Sequence, residues 1–184
     1  MLDKIISPFQ SAFVPGRLIS DNILVAYEAL HTMSSRMKGN KGFKAIKLNM
    51  SKAYDRVEWS FLEAMMLRLG FAVQWVQLIM RCVSSVSYAV LLNGSPFDVF
   101  SPSRGLRQGD HLSPYLFLLC AEGLSSLLSK ACHDGLISGA PISARGVHLS
   151  HLLFADDSLL FCRSNWNEWR VISQLLQWYE MALG

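Results

Sequence analysis

Apolar residues recur along this chain with two different periods, and turn residues fall where the period changes. After the loop Val14-Pro15-Gly16-Arg17, the positions Ile23, Ala26, Tyr27, Leu30 and Met33 or Ser34 follow helical spacing, which predicts a helix capped by Ser20 and ended by the stretch from Gly39 to Gly42. Residues 43–50 alternate imperfectly between apolar and polar, as a half-buried strand does. Asp55 and Glu58 then stand at the spacing of a capping box, so a helix is expected through Leu69, closed by Gly70. A second helix over 72–83 leads to two apolar runs, 87–92 and 96–100, joined by Asn93-Gly94, a strong hairpin signal. Ser113 as N-cap with Pro114 at the first helical position opens the longest buried helix, to about Cys132. The runs 147–154 and 158–162 flank Ala155-Asp156-Asp157 and predict a second hairpin with acids at its tip, and 167–183 reads as a final helix. With no internal repeat and no long linker, this succession describes one compact α+β unit, an antiparallel sheet backed by helices.

Composition narrows the picture. A length of 184 residues with 51% hydrophobic content suits one domain with a continuous core, and excludes a disordered tail. Seventeen Lys and Arg against 14 Asp and Glu give only +3, so any contact with nucleic-acid phosphates has to be local. A charged content of 17% and a mean hydropathy of +0.26 imply apolar surface that belongs against neighbouring segments. The longest apolar run, 115–121, is far short of the ~20 residues that span a bilayer, so no membrane partner is expected. The start of the chain does not read as a secretory signal, which points to an intracellular setting. Cys82, Cys120, Cys132 and Cys162 form no Cys-x-x-Cys pair and read as small core residues.

Asp156 and Asp157 are the first residues that ask for a chemical reason. Aspartate is common in turns because its side chain bonds nearby backbone groups. The chemical alternative is a two-metal site, in which carboxylates hold two hard cations about 4 Å apart beside an attacking hydroxyl and a leaving pyrophosphate. Such a site needs a further carboxylate from a neighbouring strand, and the end of the 43–50 strand is the natural place. The residue there is Asn49. Asp55, six residues on, is an unsuitable substitute because its capping-box spacing carries it to a helix start.

At Lys47-Leu48-Asn49-Met50-Ser51-Lys52-Ala53-Tyr54-Asp55-Arg56-Val57-Glu58-Trp59 the chain resembles the first catalytic motif of reverse transcriptases of plant LINE-type (non-LTR) retrotransposons, whose third residue is Asp. Gly105-Leu106-Arg107-Gln108-Gly109-Asp110-His111-Leu112-Ser113-Pro114 resembles that family's second palm motif, with His111 where the pattern usually has Pro, and Phe154-Ala155-Asp156-Asp157 its acidic hairpin. Gln10-Ser11-Ala12-Phe13-Val14-Pro15-Gly16-Arg17, followed by Asp21-Asn22, is similar to its finger segment. Four motifs in order outweigh any one of them.

The resemblance implies a polymerase palm over 43–184, part of the fingers over 1–42, and no thumb or upstream finger strands. It implies two Mg²⁺ ions, with Asp156 and Asp157 as metal positions and Asn49 where their partner carboxylate belongs. Tyr54 matches the aromatic steric gate that excludes a ribose 2'-hydroxyl, and Gln108 a position near the incoming nucleotide. Gly109 allows close backbone approach, while Arg107 and Arg17 are each open to two readings: a phosphate or template contact, or a solvated loop residue. The implied partners are an RNA template, a DNA primer and dNTPs, in the nucleus or cytoplasm. Since Asn offers a metal only a neutral carbonyl oxygen, the expected copy is a degenerate, inactive polymerase; the alternatives are an active one and a non-catalytic nucleic-acid-binding or interaction domain.

Overall fold

A computed structural model describes residues 2–36, 42–142 and 147–184. In chain order the elements are α1 (Leu2–Ile5), α2 (Ile19–Arg36), β1 (Phe43–Asn49), α3 (Trp59–Arg68), α4 (Val73–Ser84), β2 (Tyr88–Leu92), β3 (Ser95–Phe100), α5 (Ser113–His133), β4 (Ala140–Pro141), β5 (His148–Leu149), β6 (His151–Phe154), β7 (Asp157–Arg163) and α6 (Trp166–Leu183). The α+β class is as expected. The chain forms two compact units, Met1–Ser51 with Ala121–Met181 and Lys52–Cys120 with Ala182–Gly184, where the sequence suggested one unit.

The first unit is built on a three-stranded antiparallel sheet in the order β1-β7-β6. Its register pairs Asn49 with Asp157, Lys47 with Leu159 and Ala45 with Phe161, while Phe154 and Leu152 on β6 face Asp157 and Leu159. Because side chains alternate along a strand, these residues share one sheet face. Helix α2 covers that face through Val25, Ala26, Ala29 and Met33, with Phe161 at the centre of the cluster. Of the expected stripe, Ala26 and Met33 pack against this cluster, whereas Ile23, Tyr27 and Leu30 are exposed and the buried positions are Ala29 and Thr32. A short side chain at Ala29 lets the helix approach the strands closely, which a line of bulky residues would prevent. Ser20 lies inside the first turn rather than at the cap, and the expected stop at Gly39–Gly42 falls mostly outside the described residues.

On the opposite face, His151 of β6 reaches Ser125 in the later part of α5, 2.9 Å from Nε2, and Ser150 lies 2.8 Å from Nδ1. Ser125 continues to Ser7 at 2.7 Å, and the Ser7 amide donates to Glu122 at 2.9 Å. Burial pushes the His151 imidazole down to about 4 and raises the Glu122 carboxyl above its ordinary range. Helix α5 is long and apolar enough by itself to cross a membrane, yet 61% of that stretch is buried inside the protein, as in a core helix.

In the second unit α3 buries Leu62 and Met66 and α4 buries Val76 and Ile79. The capping box does not form: Glu58 is the N-cap residue of α3 with no side-chain cap bond, and its carboxylate instead pairs with Arg104 at 3.3 Å. The hairpin β2–β3 turns through Asn93 and Gly94, both at positive φ, as Asn-Gly predicts. Ser113 is already helical, and Leu112, whose carbonyl accepts from the Leu116 amide, takes the cap position one residue earlier than expected. Of the four cysteines, Cys120 and Cys162 are buried as expected, Cys132 is half-buried and Cys82 is exposed.

Candidate active site

The acidic turn owes its shape to a two-residue connection. Phe154 pairs with Asp157, so only Ala155 and Asp156 lie between β6 and β7, and Ala155 adopts φ +50. Asp157 is therefore the first residue of β7, and Asp156 sits in the turn, its carbonyl accepting from the Met50 amide at 3.1 Å. The sequence placed both acids at the hairpin tip; the structure makes Asp157 the first residue of β7, directly opposite Asn49.

Asn49 turns its amide nitrogen toward Asp157, with Nδ2 3.2 Å from Oδ1. That orientation is dictated by chemistry, since an ionised carboxylate only accepts hydrogen bonds. The Lys47 ammonium, two residues earlier and hence on the same face, lies 3.3 Å from the same oxygen. The Asn49 bond, and then Lys47, hold the Asp157 carboxyl below its usual range against the opposing effect of desolvation. Lys47 was not singled out from the sequence, although the period of two along a strand that ends at Asn49 was the available signal.

These donors fit a hard cation only in part. Asp156 and Asp157 offer carboxylate oxygens, but one Asp157 oxygen is shared by two N–H donors and the Asn49 carbonyl oxygen is the end of the amide turned away from it. Among the described residues no group of three or more His, Cys, Asp or Glu side chains is placed to hold a metal ion. Asp156 and Asp157 are the carboxylates that could hold a divalent cation, and Asn49 adds no negative charge to them. Beside the turn, α2 and the sheet enclose a groove of about 260 Å³ lined by Ile19, Ile23, Leu152 and Leu159, with Lys47 and Asp157 at one end.

Apart from Arg17, the remaining candidates lie in the second unit, where the later half of the first motif is joined to the second motif. The Leu106 amide donates to the Tyr54 carbonyl and the Gly105 amide to that of Val57, each at 2.8 Å. Trp59 Nε1 donates to the Gly105 carbonyl at 2.8 Å. The Tyr54 ring stacks on Phe117, centroids 5.2 Å apart and planes 19° from parallel, so its orientation is fixed by a buried neighbour. Gln108 is exposed and donates to Asp55 at 3.3 Å, which gives Asp55 a partner in place of the expected helix cap. Arg107 is exposed.

The glycine that permits close approach is Gly105 rather than Gly109. A Cβ on Gly105 would sit 3.0 Å from the Asp55 carbonyl oxygen, whereas Gly109 has open space around it and needs glycine for its φ of +83. Arg17 is committed to backbone: its guanidinium donates to the carbonyls of Gln10 at 2.7 Å and Ile6 at 2.8 Å, and also to Ser7 and Asp3. Most of its donors are thus used inside the fold, which leaves little for a template phosphate.

A family model described as reverse transcriptase (RNA-dependent DNA polymerase) matches residues 1–182. An uncharacterized mitochondrial protein of Arabidopsis thaliana is 52% identical over 68 residues, 37% of this chain and 56% of that protein. The uncharacterized protein of transposon TX1 from Xenopus laevis is 30% identical over 87% of this chain and 12% of its own length. The retrovirus-related Pol polyprotein of the type-1 retrotransposable element R2 from Popillia japonica is 31% identical over 81% of this chain and 20% of its own. The chain therefore spans between 12% and 56% of these relatives. Among solved structures it is similar to apo telomerase from Candida tropicalis (TM-score 0.59, 16% identity, 92% of this chain and 34% of that one). The same enzyme with a fragment of telomeric RNA gives a TM-score of 0.62 at 16% identity, covering 92% of this chain and 28% of that one. At such identity the likeness is one of fold.

Proposed function

Because the chain belongs to the reverse transcriptase (RNA-dependent DNA polymerase) family, with homologues among non-LTR retrotransposon proteins, we propose that it is a degenerate RNA-directed DNA polymerase region in which Asn49 has all but abolished nucleotidyl transfer. The observation that carries this reading is the neutral amide of Asn49 set opposite Asp157 at the end of β1, bonded to the carboxylate it would otherwise join as a ligand.

In this reading Asp156 and Asp157 are the residues that hold Mg²⁺. When bound, the cation neutralises charge on the phosphates and lowers the pKa of an attacking 3'-hydroxyl. The chain's own residues do the rest. Tyr54, held flat by Phe117, would underlie the sugar and reject a 2'-hydroxyl. Gln108 would exchange its bond to Asp55 for one to the nucleotide, an uncharged amide that serves sugar or base without drawing in metal. Arg107, exposed in the same loop, would meet a phosphate. An RNA template, a DNA primer and dNTPs are the partners so implied, and the Arg17 contact is withdrawn from that set because its donors are spent on backbone carbonyls.

Primer extension on an RNA template with Mg²⁺ decides the matter, comparing the unaltered sequence with Asn49→Asp, each joined to the same flanking segments of an active relative. Loss of one preorganised electrostatic element costs on the order of 10² to 10³ in rate, so the unaltered sequence should be slower by at least that factor. Equal rates for the two proteins would overturn the reading.

A further inference from the structure

Gln10 is 1% exposed and lies beside β6, where it forms a parallel bridge with Leu153. Its side-chain oxygen accepts two backbone N–H groups, that of Ala12 at 2.9 Å and that of Ala155 at 3.3 Å. Ala155 is the left-handed residue that immediately precedes Asp156. A non-glycine residue in that conformation persists only where its surroundings over-determine it. Gln10 supplies such a constraint from a segment more than a hundred residues away in sequence.

Gln10 is itself held firmly. The Arg17 guanidinium takes its carbonyl at 2.7 Å, the Leu153 amide donates to the Phe9 carbonyl at 2.8 Å, and Asn22 Nδ2 reaches the Leu153 carbonyl at 3.1 Å. The amide's orientation is forced, because two N–H donors require the oxygen between them. Its nitrogen is consequently left buried without a hydrogen-bond partner. A fold that retains a polar side chain at the cost of an orphan donor has a use for its acceptor, since an apolar residue of like volume would avoid that cost.

We propose that Gln10 is a positioning residue for the acidic turn: its side-chain oxygen fixes the Ala155 backbone and so sets where the Asp156 and Asp157 carboxylates stand. It touches no substrate. The proposal concerns the geometry of the turn and holds whether or not the chain extends a primer.

Amide exchange on the full chain by NMR tests it, with Gln10→Met, which keeps the length and removes the acceptor, and Gln10→Glu, which keeps the acceptor. In Gln10→Met the Ala155 amide should exchange at least about tenfold faster while β1 and β7 amides keep their protection. Mn²⁺ should broaden the Asp156 and Asp157 signals only at severalfold higher concentration than in the unaltered chain. Gln10→Glu should restore both readouts, and its Ala12 and Ala155 amide shifts should move together as the introduced carboxyl titrates. Unchanged Ala155 exchange in Gln10→Met would overturn the proposal, as would a loss of protection spread evenly through the sheet. If Gln10→Met does not fold, Gln10→Glu alone decides, and an Ala155 amide that ignores the titration sinks the idea. The Asn49 reading is judged on extension rate, so the two can fail separately.

Discussion

The pair Asn49 and Asp157 has an electrostatic consequence that can be measured without turnover. A hydrogen bond from Asn49 and the nearby Lys47 favour the charged form of Asp157, so its folded pKa lies below the ordinary value. A depressed carboxyl stabilises the fold above that ordinary value and loses the contribution as pH falls through the folded pKa. The side chain is well exposed, so the gain is small. Asn49→Asp replaces a donor with a like charge, and in metal-free solution the Asp157 carboxyl is expected to titrate higher than in the unaltered chain by NMR; an unchanged or lower value would mean the two side chains do not face each other. His151 works in the other sense. It is buried neutral with a pKa of about 4, so between about pH 6.5 and pH 4 the unfolded chain takes up a proton that the folded chain refuses, and stability falls as pH is lowered. The full difference is about 3 kcal/mol. His151→Gln should flatten the dependence of the urea midpoint over that window, even if it lowers the midpoint everywhere. At this scale the two aspartates and Asn49 were legible, because strand ends and tight turns between apolar runs are marked in the sequence. The service of Gln10 and Lys47 to the same turn was not, since one depends on a long-range backbone contact and the other on the register of β1 with β7.

Elements were read more easily than their surroundings. The alternation at 43–50 and Asn93-Gly94 between apolar runs located β1 and the β2–β3 hairpin to within a residue, and Gly70 the end of α3, whereas the N-cap of α3 is Glu58, three residues later than the expected cap at Asp55. What failed was the assignment of side chains with more than one attractive partner. Asp55 and Glu58 have capping-box spacing, but Gln108 and Arg104, some fifty residues later, take them instead. Helix α2 was read only in part: Ala26 and Met33 of the expected stripe pack on the core, whereas the bulkier Ile23, Tyr27 and Leu30 stay exposed and the buried positions are Ala29 and Thr32. Arg17 shows the same limit. From its motif it was open to a phosphate or a solvated role, yet it gathers four carbonyls of the 3–10 segment into one fork. Arg17→Met leaves those carbonyls without their charged donor and is expected to cost about 2 kcal/mol or more by denaturant unfolding. Arg17→Lys should recover little of that loss, because an ammonium cannot reproduce the planar fork. Full recovery by Lys would show that charge, rather than the geometry of the fork, holds the segment.

For the molecule as a whole, the low charge and high hydropathy of the sequence implied apolar surface left over after folding, and the structure locates it. In the second unit both strands of the β2–β3 hairpin are open: Leu91 is 69% exposed, Val99 70%, and Val90, Leu92, Phe97 and Phe100 are all above half. In the first unit Leu18, Ile19, Ile23, Leu24, Tyr27 and Leu30 lie uncovered on or beside α2. Large contiguous apolar patches are rare on monomeric soluble proteins, and a hairpin with apolar residues exposed along both strands also presents edges on which further strands can add. The chain alone is therefore expected to associate at tens of micromolar, with a sedimentation coefficient that climbs with concentration. The hairpin should dominate, because strand edges add backbone hydrogen bonds to apolar contact, whereas the helix face offers apolar contact alone. Replacing Leu91 and Val99 together by Lys puts charge on that surface without emptying any core position. The double variant should shift association to several-fold higher concentration while changing unfolding stability by no more than about 1 kcal/mol, the sum for two exposed sites. If the double variant associates as readily as the unaltered chain, the patch on α2 is the stickier of the two, and Leu24→Lys with Tyr27→Lys becomes the pair that must raise the threshold. A chain that remains monomeric at every accessible concentration would show that neither surface is short of cover, and that the unusual composition has some cause other than surface left bare.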